Sequence, residues 1–270
     1  MFIVFENSNL LVFLYWFLIT FALLTKKTIM KRFAKALAAI MLMMIVVVVA
    51  GCKPENEPNN DDNNGGGNGG NTDNHAYVDL GLPSGTLWAT CNVGAITPEG
   101  YGDHFAWGET EPKTIYNWST YKYCMGSSIT MTKYCNDSNY GNNGFTDNLT
   151  ILLPEDDAAT ANWGSGWCMP TYNQWVELYQ NTTNTWTTQN GVNGRLFAAS
   201  NGNSLFLPTA GTRWDDALSG VGGNGDYWSS SLLTDGSYRA WNFDFGSEGY
   251  DMSGGYRVSG LSVRAVRSAN

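Results

Sequence analysis

Carboxylates are the side chains of this sequence best suited to acid and base chemistry. Several occur in close pairs, and the pairs are Glu109 with Glu111, Asp156 with Asp157, and Asp215 with Asp216. Hydrolysis of a glycosidic bond needs two carboxylates at a defined separation. Neighbouring carboxylates in polar segments are more often solvated charges or helix caps. We therefore expect no catalysis, and a glycan hydrolase is kept as an alternative hypothesis.

Cysteine is the second residue type with reactive chemistry. Beyond Cys52 the chain has four, which allow three disulfide pairings. They are Cys91, Cys124, Cys135 and Cys168. Cys124 and Cys135 lie in the matching words YKYC and TKYC on either side of a Gly-Ser turn, which favours a disulfide that closes a hairpin. Metal ligation is the disfavoured alternative, because only His75 and His104 follow Cys52 and no CxxC spacing is present.

The stretch YRAWNFDF near the C-terminus has the alternation of a strand. Trp241 and Phe243 share one face with Phe245, while Asn242 and Asp244 share the other. One face is expected to belong to the core and the other to face water. The surrounding residues, about 222 to 259, are rich in Tyr, Ser, Gly and Asn. Antibody contact surfaces use that mixture, although turns around a sheet would also explain it.

This region supplies the predicted ligand contacts. They are Asp226, Tyr238, Arg239, Asn242, Asp244, Tyr250, Asp251 and Tyr256. Trp228, Trp241 and Phe243 are expected to pack beneath them. We assign no metal ligand and no cofactor, although an acidic domain is compatible with a structural calcium, which needs clustered oxygen ligands.

One helix and four strands that would position these residues are predicted from the sequence. Thr171 and Gln174 form a capping box at the start of the helix PTYNQWVELYQN. Strands are predicted at Leu205 to Leu207, Tyr227 to Ser231, Tyr238 to Phe245 and Leu261 to Arg267.

An export signal occupies residues 30–51. Basic residues from Lys31 precede an apolar run over residues 36–49. The following Val-Ala-Gly-Cys resembles the bacterial lipobox, whose cysteine is diacylated, and so Cys52 is the predicted lipidation site. An uncleaved membrane anchor is the alternative, because the run is near the lower length limit for a spanning helix.

The rest of the chain divides on composition. Residues 1–29 form a doubtful upstream extension, since the signal from Met30 is complete without them. Residues 52–74 hold no apolar residue beyond proline and are expected to be a disordered spacer. Its acidic start resembles the surface-export signal of Bacteroidetes lipoproteins. We therefore expect an outer-membrane lipoprotein that faces the cell surface, held by its lipid anchor.

Residues 75–270 are expected to form one domain, because their number suits a single core. They contain ten tryptophans among many Gly and Asn residues, which favours a loop-rich α+β fold. The whole chain carries a net charge of −9. Removing residues 1–51 takes away five of the 15 basic and one of the 24 acidic residues and leaves −13. Nucleic acid is not an expected partner, because its binding depends on cationic surface.

Four stretches together resemble one known family. They are YVDLGLPSGTLWATCNVGA, FAWGE, GSGWCMPTYNQWVEL and YWSSS followed by GLSVRAVR. Their order is similar to the Fibrobacter succinogenes major paralogous domain of Bacteroidetes lipoproteins. The resemblance implies a C-type-lectin-like fold related to formylglycine-generating enzymes, with short helices on a twisted antiparallel sheet and GLSVRAVR as the closing strand near its middle. Cys168 departs from the family, which usually has arginine there.

The resemblance also bears on function. Related domains include the variable proteins of diversity-generating retroelements, whose C-terminal part carries the ligand-contacting side chains. The enzyme branch of the fold uses paired late cysteines, and this chain has none after Cys168. We predict a surface lipoprotein with a lectin-like face that binds a glycan or protein ligand. The alternatives are a structural subunit of the cell surface or fimbriae, and the glycan hydrolase.

Overall fold

A computed structural model describes residues 75–269 of the 270-residue chain. Strands predominate there, helices are short, and the pairs between named strands are antiparallel. The expected α+β architecture is confirmed at this level. The upstream extension, the signal segment, the spacer and Cys52 lie outside the described residues.

The strands of the described range are numbered in chain order. They are β1 (Tyr77–Asp79), β2 (Thr86–Asn92), β3 (Thr183–Gln189), β4 (Val192–Ala198), β5 (Ser204–Pro208), β6 (Thr212–Trp214), β7 (Ala217–Ser219), β8 (Gly225–Leu232), β9 (Arg239–Phe245), β10 (Tyr250–Tyr256) and β11 (Arg264–Ser268). They form four sheets, with the strand orders β1-β2-β11, β3-β4-β5, β6-β7 and β10-β9-β8. The closing strand β11 pairs with β2, and Val266 also forms a single bridge with Cys168.

The helices are few. They are α1 (Ala158–Trp163) and α2 (Tyr172–Asn181), with 3-10 turns at Asn142–Gly144 and Pro154–Asp156. The predicted capping box is confirmed, since Gln174 N donates to Thr171 Oγ1 at 3.3 Å and Thr171 N donates to Gln174 Oε1 at 2.9 Å. Trp175 and Leu178 bury the inner face of α2. Over residues 75–269 no helix has the length and apolar character needed to cross a membrane.

The C-terminal sheet, formed by β8, β9 and β10, separates two apolar cores. Phe243 belongs to the core under α2, where its ring stacks on Trp175 with centroids 5.1 Å apart. Trp228 and Ala240 belong to the other core and are fully buried. The expectation that one face of β9 faces water is therefore wrong for the middle of the strand. The sequence pattern could not reveal this, because the covering residues come from distant parts of the chain.

The predicted disulfide between Cys124 and Cys135 does not form. Both side chains are buried free thiols. The backbone of Cys124 forms an antiparallel bridge with Met131, so Met131, and not Cys135, lies opposite Cys124 across the turn. The two Sγ atoms donate instead to different carbonyls, those of Trp118 and Asp137, each at 3.2 Å. The hairpin is closed by backbone hydrogen bonds rather than by a covalent bond.

Asp156 ties the long loop region before α1 to the core. Its side chain is 3% exposed. The hydroxyls of Tyr123 and Tyr134 and the ammonium of Lys133 all donate to this carboxylate. Burial alone would raise the pKa of Asp156, but hydrogen bonds from Lys133, Tyr123 and Tyr134 outweigh it and hold the pKa below its usual value. The carboxylate is therefore a structural anchor.

Asp157 caps α1 and predicts a pH dependence of stability. Its Oδ1 accepts from Thr160 N at 3.0 Å and its Oδ2 from Met169 N at 2.8 Å. Burial nevertheless raises the pKa of Asp157 from 3.8 to about 6. The folded state thus holds this proton more tightly than the unfolded state, so the contribution to stability is greatest below the unfolded pKa and falls as pH rises through the folded pKa.

The test compares wild type with Asp157→Asn, which cannot titrate. We expect the difference in their free energies of unfolding, wild type minus variant, to fall by about 1–3 kcal/mol between roughly pH 4 and pH 6. Urea unfolding at several pH values measures it. A difference that stays constant over that range would contradict the proposed protonation.

Candidate functional site

Three aspartates lie in one line across the C-terminal sheet. Asp226 of β8 is opposite Asp244 of β9, and Asp244 is opposite Asp251 of β10. Directly opposite residues of antiparallel strands point to the same face, with Cβ atoms about 4.5–5.5 Å apart. We call these three side chains the aspartate row. The sequence predicted each of them as a contact residue but not their alignment.

The aspartate row carries negative charge without a basic partner. Asp251 is exposed, while Asp226 and Asp244 are partly exposed. The ion pairs of the described residues include none of the three. Asp226 Oδ2 accepts a hydrogen bond from Thr212 Oγ1 at 2.8 Å, but this hydroxyl is uncharged and does not neutralise the carboxylate. Like charges directly opposite each other destabilise a sheet, so the row costs stability.

The pKa values of Asp226 and Asp244 are raised, chiefly by burial. Burial raises the pKa of Asp226, the Thr212 hydroxyl opposes the rise, and the Asp244 carboxylate adds to it. Burial also raises the pKa of Asp244, where a hydrogen bond with Ser253 opposes the rise and the Asp251 carboxylate adds to it. A cation beside the row would favour the ionised forms of Asp226 and Asp244 and would therefore lower both pKa values.

Asn242 lies beside the row but does not face solvent. It is 4% exposed, which makes the prediction of a water-facing contact residue wrong. The physical reason is that the core containing Trp228 and Ala240 covers this side of the sheet. Trp228 of β8 lies directly opposite Asn242 and is fully buried, so Asn242 is covered as well. Asn242 Nδ2 donates weakly to Asp226 Oδ1 at 3.5 Å, and Asn242 Oδ1 is buried without a hydrogen-bond partner. Asn242 supports the row from within the protein.

Exposed aromatic rings gather at the other end of β10. Tyr256 is 49% exposed and Trp214 of β6 is 40% exposed. The ring of Tyr256 lies 5.7 Å from that of Trp214, 5.9 Å from that of Tyr238 and 6.3 Å from that of Trp118, centroid to centroid. We call these four residues the aromatic cluster. Large partly exposed rings of this kind supply apolar contact area to a ligand.

Strand β6 connects the aromatic cluster with the aspartate row. Thr212, which donates to Asp226, and Trp214, which packs on Tyr256, are two residues apart on β6. Alternate residues of a strand share a face and are about 7 Å apart. Strand β6 thus brings the exposed Trp214 ring of the aromatic cluster close to the Asp226 end of the aspartate row, and the two groups together are the candidate site.

Two predicted contacts are placed differently. Tyr250 packs on the α2 side of the sheet, where its ring is 5.5 Å from that of Tyr179 and the Arg195 guanidinium is 4.9 Å from its centroid. Tyr250 therefore does not belong to the candidate site. Arg239 forms an ion pair with Asp235 at 3.1 Å and lies 5.4 Å from the ring of Tyr238, so it borders the aromatic cluster.

Sequence reasoning missed Thr212, Trp214 and Ser253. The sequence Thr-Arg-Trp at 212–214 has the residue types of a short strand, and Asp215 and Asp216 after it favour a turn. Together they indicate a hairpin. The alternation of that strand places Thr212 and Trp214 on one face. Nothing in the sequence indicates which sheet this face would contact.

A separate cavity of about 370 Å³ lies near β6. Its lining residues are Gly102, Asp103, His104, Pro112, Lys113, Thr114, Tyr116, Arg213 and Asp216. Burial and the nearby Arg213 charge lower the pKa of His104. Arg213 follows Thr212 on the strand, so the two side chains point to opposite faces. The cavity contains charges of both signs.

The carboxylates considered for acid and base chemistry have structural partners. Glu109 Oε2 lies 2.8 Å from Lys113 Nζ. Asp156 and Asp157 are buried and hydrogen-bonded as described above, and Asp215 Oδ1 accepts from the distant Asn117 Nδ2 at 2.7 Å. These contacts give structural roles to Glu109, Asp156, Asp157 and Asp215.

Residues 75–269, the aspartate row included, contain no group of three or more His, Cys, Asp or Glu residues arranged to hold a metal ion. Comparisons with protein-family models, with curated proteins and with solved structures found no match for this chain. The geometry of the candidate site and the motifs of the sequence are therefore the basis for a functional proposal.

Proposed function

We propose that this protein is an outer-membrane lipoprotein, facing the cell surface, whose C-terminal strands bind a glycan or protein ligand without catalysing a reaction. The lipobox-like word ending at Cys52 and the polar spacer over residues 52–74 support the anchor. We also propose a C-type-lectin-like arrangement for the domain. It is supported by the loop-rich α+β architecture and by the pairing of the closing strand β11 with β2 near the start of the domain. The expected position near the middle of the sheet is wrong, because β11 is an outer strand of β1-β2-β11 with only a single further bridge, to Cys168.

The convergence of the aspartate row and the aromatic cluster carries this proposal. Asp226, Asp244 and Asp251 keep unneutralised charge on a partly exposed surface, although like charges in this arrangement destabilise a sheet. Trp214 and Tyr256 leave large rings exposed beside them. The row costs stability, and the exposed parts of these rings bury no area within the protein, whereas a ligand would use both.

The proposal predicts a large loss of binding in one double variant. The protein, purified in detergent, is probed on arrays of glycans and proteins. Asp244→Asn with Tyr256→Ala removes one charge from the row and the central ring of the cluster. Binding of the ligand found with wild type is expected to weaken about tenfold or more, because central contacts of a site dominate its affinity. Retained affinity would remove this surface from the proposal.

A matched control uses the same substitutions elsewhere. Asp79→Asn with Tyr77→Ala changes an exposed aspartate and a tyrosine that is 51% exposed, both on β1. This variant is expected to bind like wild type. Equal losses in the two double variants would indicate a general effect on the fold.

A structural role in surface assembly is the second candidate, favoured by the open outer edge of β10. This strand pairs with β9 alone among the described residues. Unpaired edges are templates for association with another chain. An assembly role predicts no ligand on the arrays together with concentration-dependent association of the purified protein in sedimentation experiments.

A further inference from the structure

Strand β10 is the outer strand of the C-terminal sheet. It pairs with β9 on one side, and no strand or single bridge of residues 75–269 pairs with it on the other. The amide of Met252 donates to the side chain of Asp251 at 2.8 Å, a local substitute for a strand partner. Such an edge can accept an extended segment through main-chain hydrogen bonds.

The aspartate row ends at this edge. Asp251 is its outermost and most exposed member. A strand added beside β10 would continue the line of opposite residues, so one of its side chains would lie about 5 Å from that of Asp251. Alternate residues of the added strand would face Ser253 and Gly255 in turn. The row is thus positioned to select one side chain of an added strand.

The chemistry of the row selects a cation. Ionised carboxylates only accept hydrogen bonds, and the ammonium of lysine or the guanidinium of arginine only donates them. Asn242 does not face solvent, so the acceptors open to an added strand are the carboxylates of the row, and Asp251 is the most exposed of them. Because the chain has a net charge of −9, long-range attraction also favours a positively charged partner over a negatively charged one.

We propose that the outer edge of β10 binds an extended basic polypeptide segment, which pairs as an added strand and places a lysine or arginine side chain beside Asp251 at the end of the aspartate row. This inference rests on the proposed ligand-binding function and narrows its ligand to a protein. The strand supplies affinity through its backbone, and the row supplies selectivity for basic residues.

Fluorescence anisotropy with a labelled peptide tests the proposal. The probe alternates threonine and lysine over seven residues, the length of β10, because β-branched threonine favours an extended chain. We expect the purified protein to bind this peptide and not the same peptide with glutamate in place of lysine. Asp251→Asn keeps an acceptor for the Met252 amide, removes the charge, and is expected to weaken binding about five- to tenfold.

Three controls separate the parts of the proposal. Asp235→Asn, an exposed aspartate whose partner is Arg239, is expected to bind the peptide like wild type. A lysine peptide methylated on every backbone nitrogen has no main-chain donor on either edge and is expected to bind about tenfold more weakly. Spermidine, a free polyamine, is expected to compete poorly. Equal binding of the methylated peptide, or full competition by spermidine, would overturn strand addition. An Asp251→Asn variant with wild-type affinity would overturn the role of the row.

The two experiments distinguish an error in the strand-addition inference from an error in the proposed ligand-binding function. If the arrays reveal a ligand that requires Asp244 and Tyr256 while the lysine peptide does not bind, the inference is wrong and the binding function stands. If the arrays reveal no ligand and the peptide does not bind, both are wrong.

Discussion

Replacing Arg257 with leucine is expected to lower the free energy of unfolding by about 3–5 kcal/mol. Arg257 is fully buried, and it has no carboxylate partner among the described residues. Its guanidinium instead donates to four oxygen acceptors. They are the Tyr121 hydroxyl at 2.8 Å and the carbonyls of Tyr134 at 3.1 Å, Ser237 at 2.8 Å and Lys133 at 3.0 Å.

The size of this effect follows from the acceptors left behind. Leucine fills part of the volume but donates no hydrogen bond, so several buried oxygens lose their partner, and each costs about 1–3 kcal/mol before relaxation. The guanidinium also lies 4.9 Å from the centroid of Trp107, and this contact is lost as well. Arg257 joins the loop over residues 121–134 to the loop at Ser237. Its replacement therefore weakens the attachment of both loops to each other and to the residues around Arg257.

Urea unfolding measures the loss, with Arg239→Leu as the control. Arg239 is also an arginine close to a tyrosine ring, but its side chain is 31% exposed and its ion pair with Asp235 is on the surface. Surface pairs contribute about 0–1 kcal/mol. A similar small loss in both variants would mean that Arg257 is not the connection described here.

Trp175→Ala is the second substitution with a large expected effect. Trp175 of α2 is fully buried; its ring stacks on Phe243 at 5.1 Å and lies 4.7 Å from Trp88 of β2, centroid to centroid. Its Nε1 donates to Trp228 O at 3.2 Å. One side chain thus joins a helix to two sheets. Truncation of such a residue costs about 3–5 kcal/mol through lost burial and the cavity it leaves.

Trp186→Ala is the matched control for this experiment. Trp186 lies on β3 and is only partly buried against the same core. Its loss is expected to cost about 1–2 kcal/mol, because less apolar area is removed from the interior. Comparable losses for the two tryptophans would show that α2 is not held to the sheets mainly through Trp175.

Local features were predictable from the sequence because their causes lie within a few residues. The capping box of Thr171 and Gln174 is one case, and the strand predicted at Leu205 to Leu207 is another, since it lies within β5. Tyr227 to Ser231 likewise falls within β8. Capping hydrogen bonds and strand alternation depend only on sequence neighbours.

Long-range features were not predictable, for reasons that particular residues make clear. The alignment of Asp226, Asp244 and Asp251 depends on the pairing register of β8, β9 and β10, which turn geometry determines and composition does not. The burial of Asn242 depends on a second core formed by distant loops. The separation of Cys124 from Cys135 depends on Met131 occupying the position opposite Cys124.

The pairing of β2 with β11 has a consequence for how this protein is made. Trp88 lies opposite Val266, so the first sheet cannot be completed until nearly the whole domain has left the ribosome. Contacts between such distant residues form late and slow the search for the native state. For the exported lipoprotein proposed above, this delay is an advantage, because a chain that folds late is still open when it is translocated.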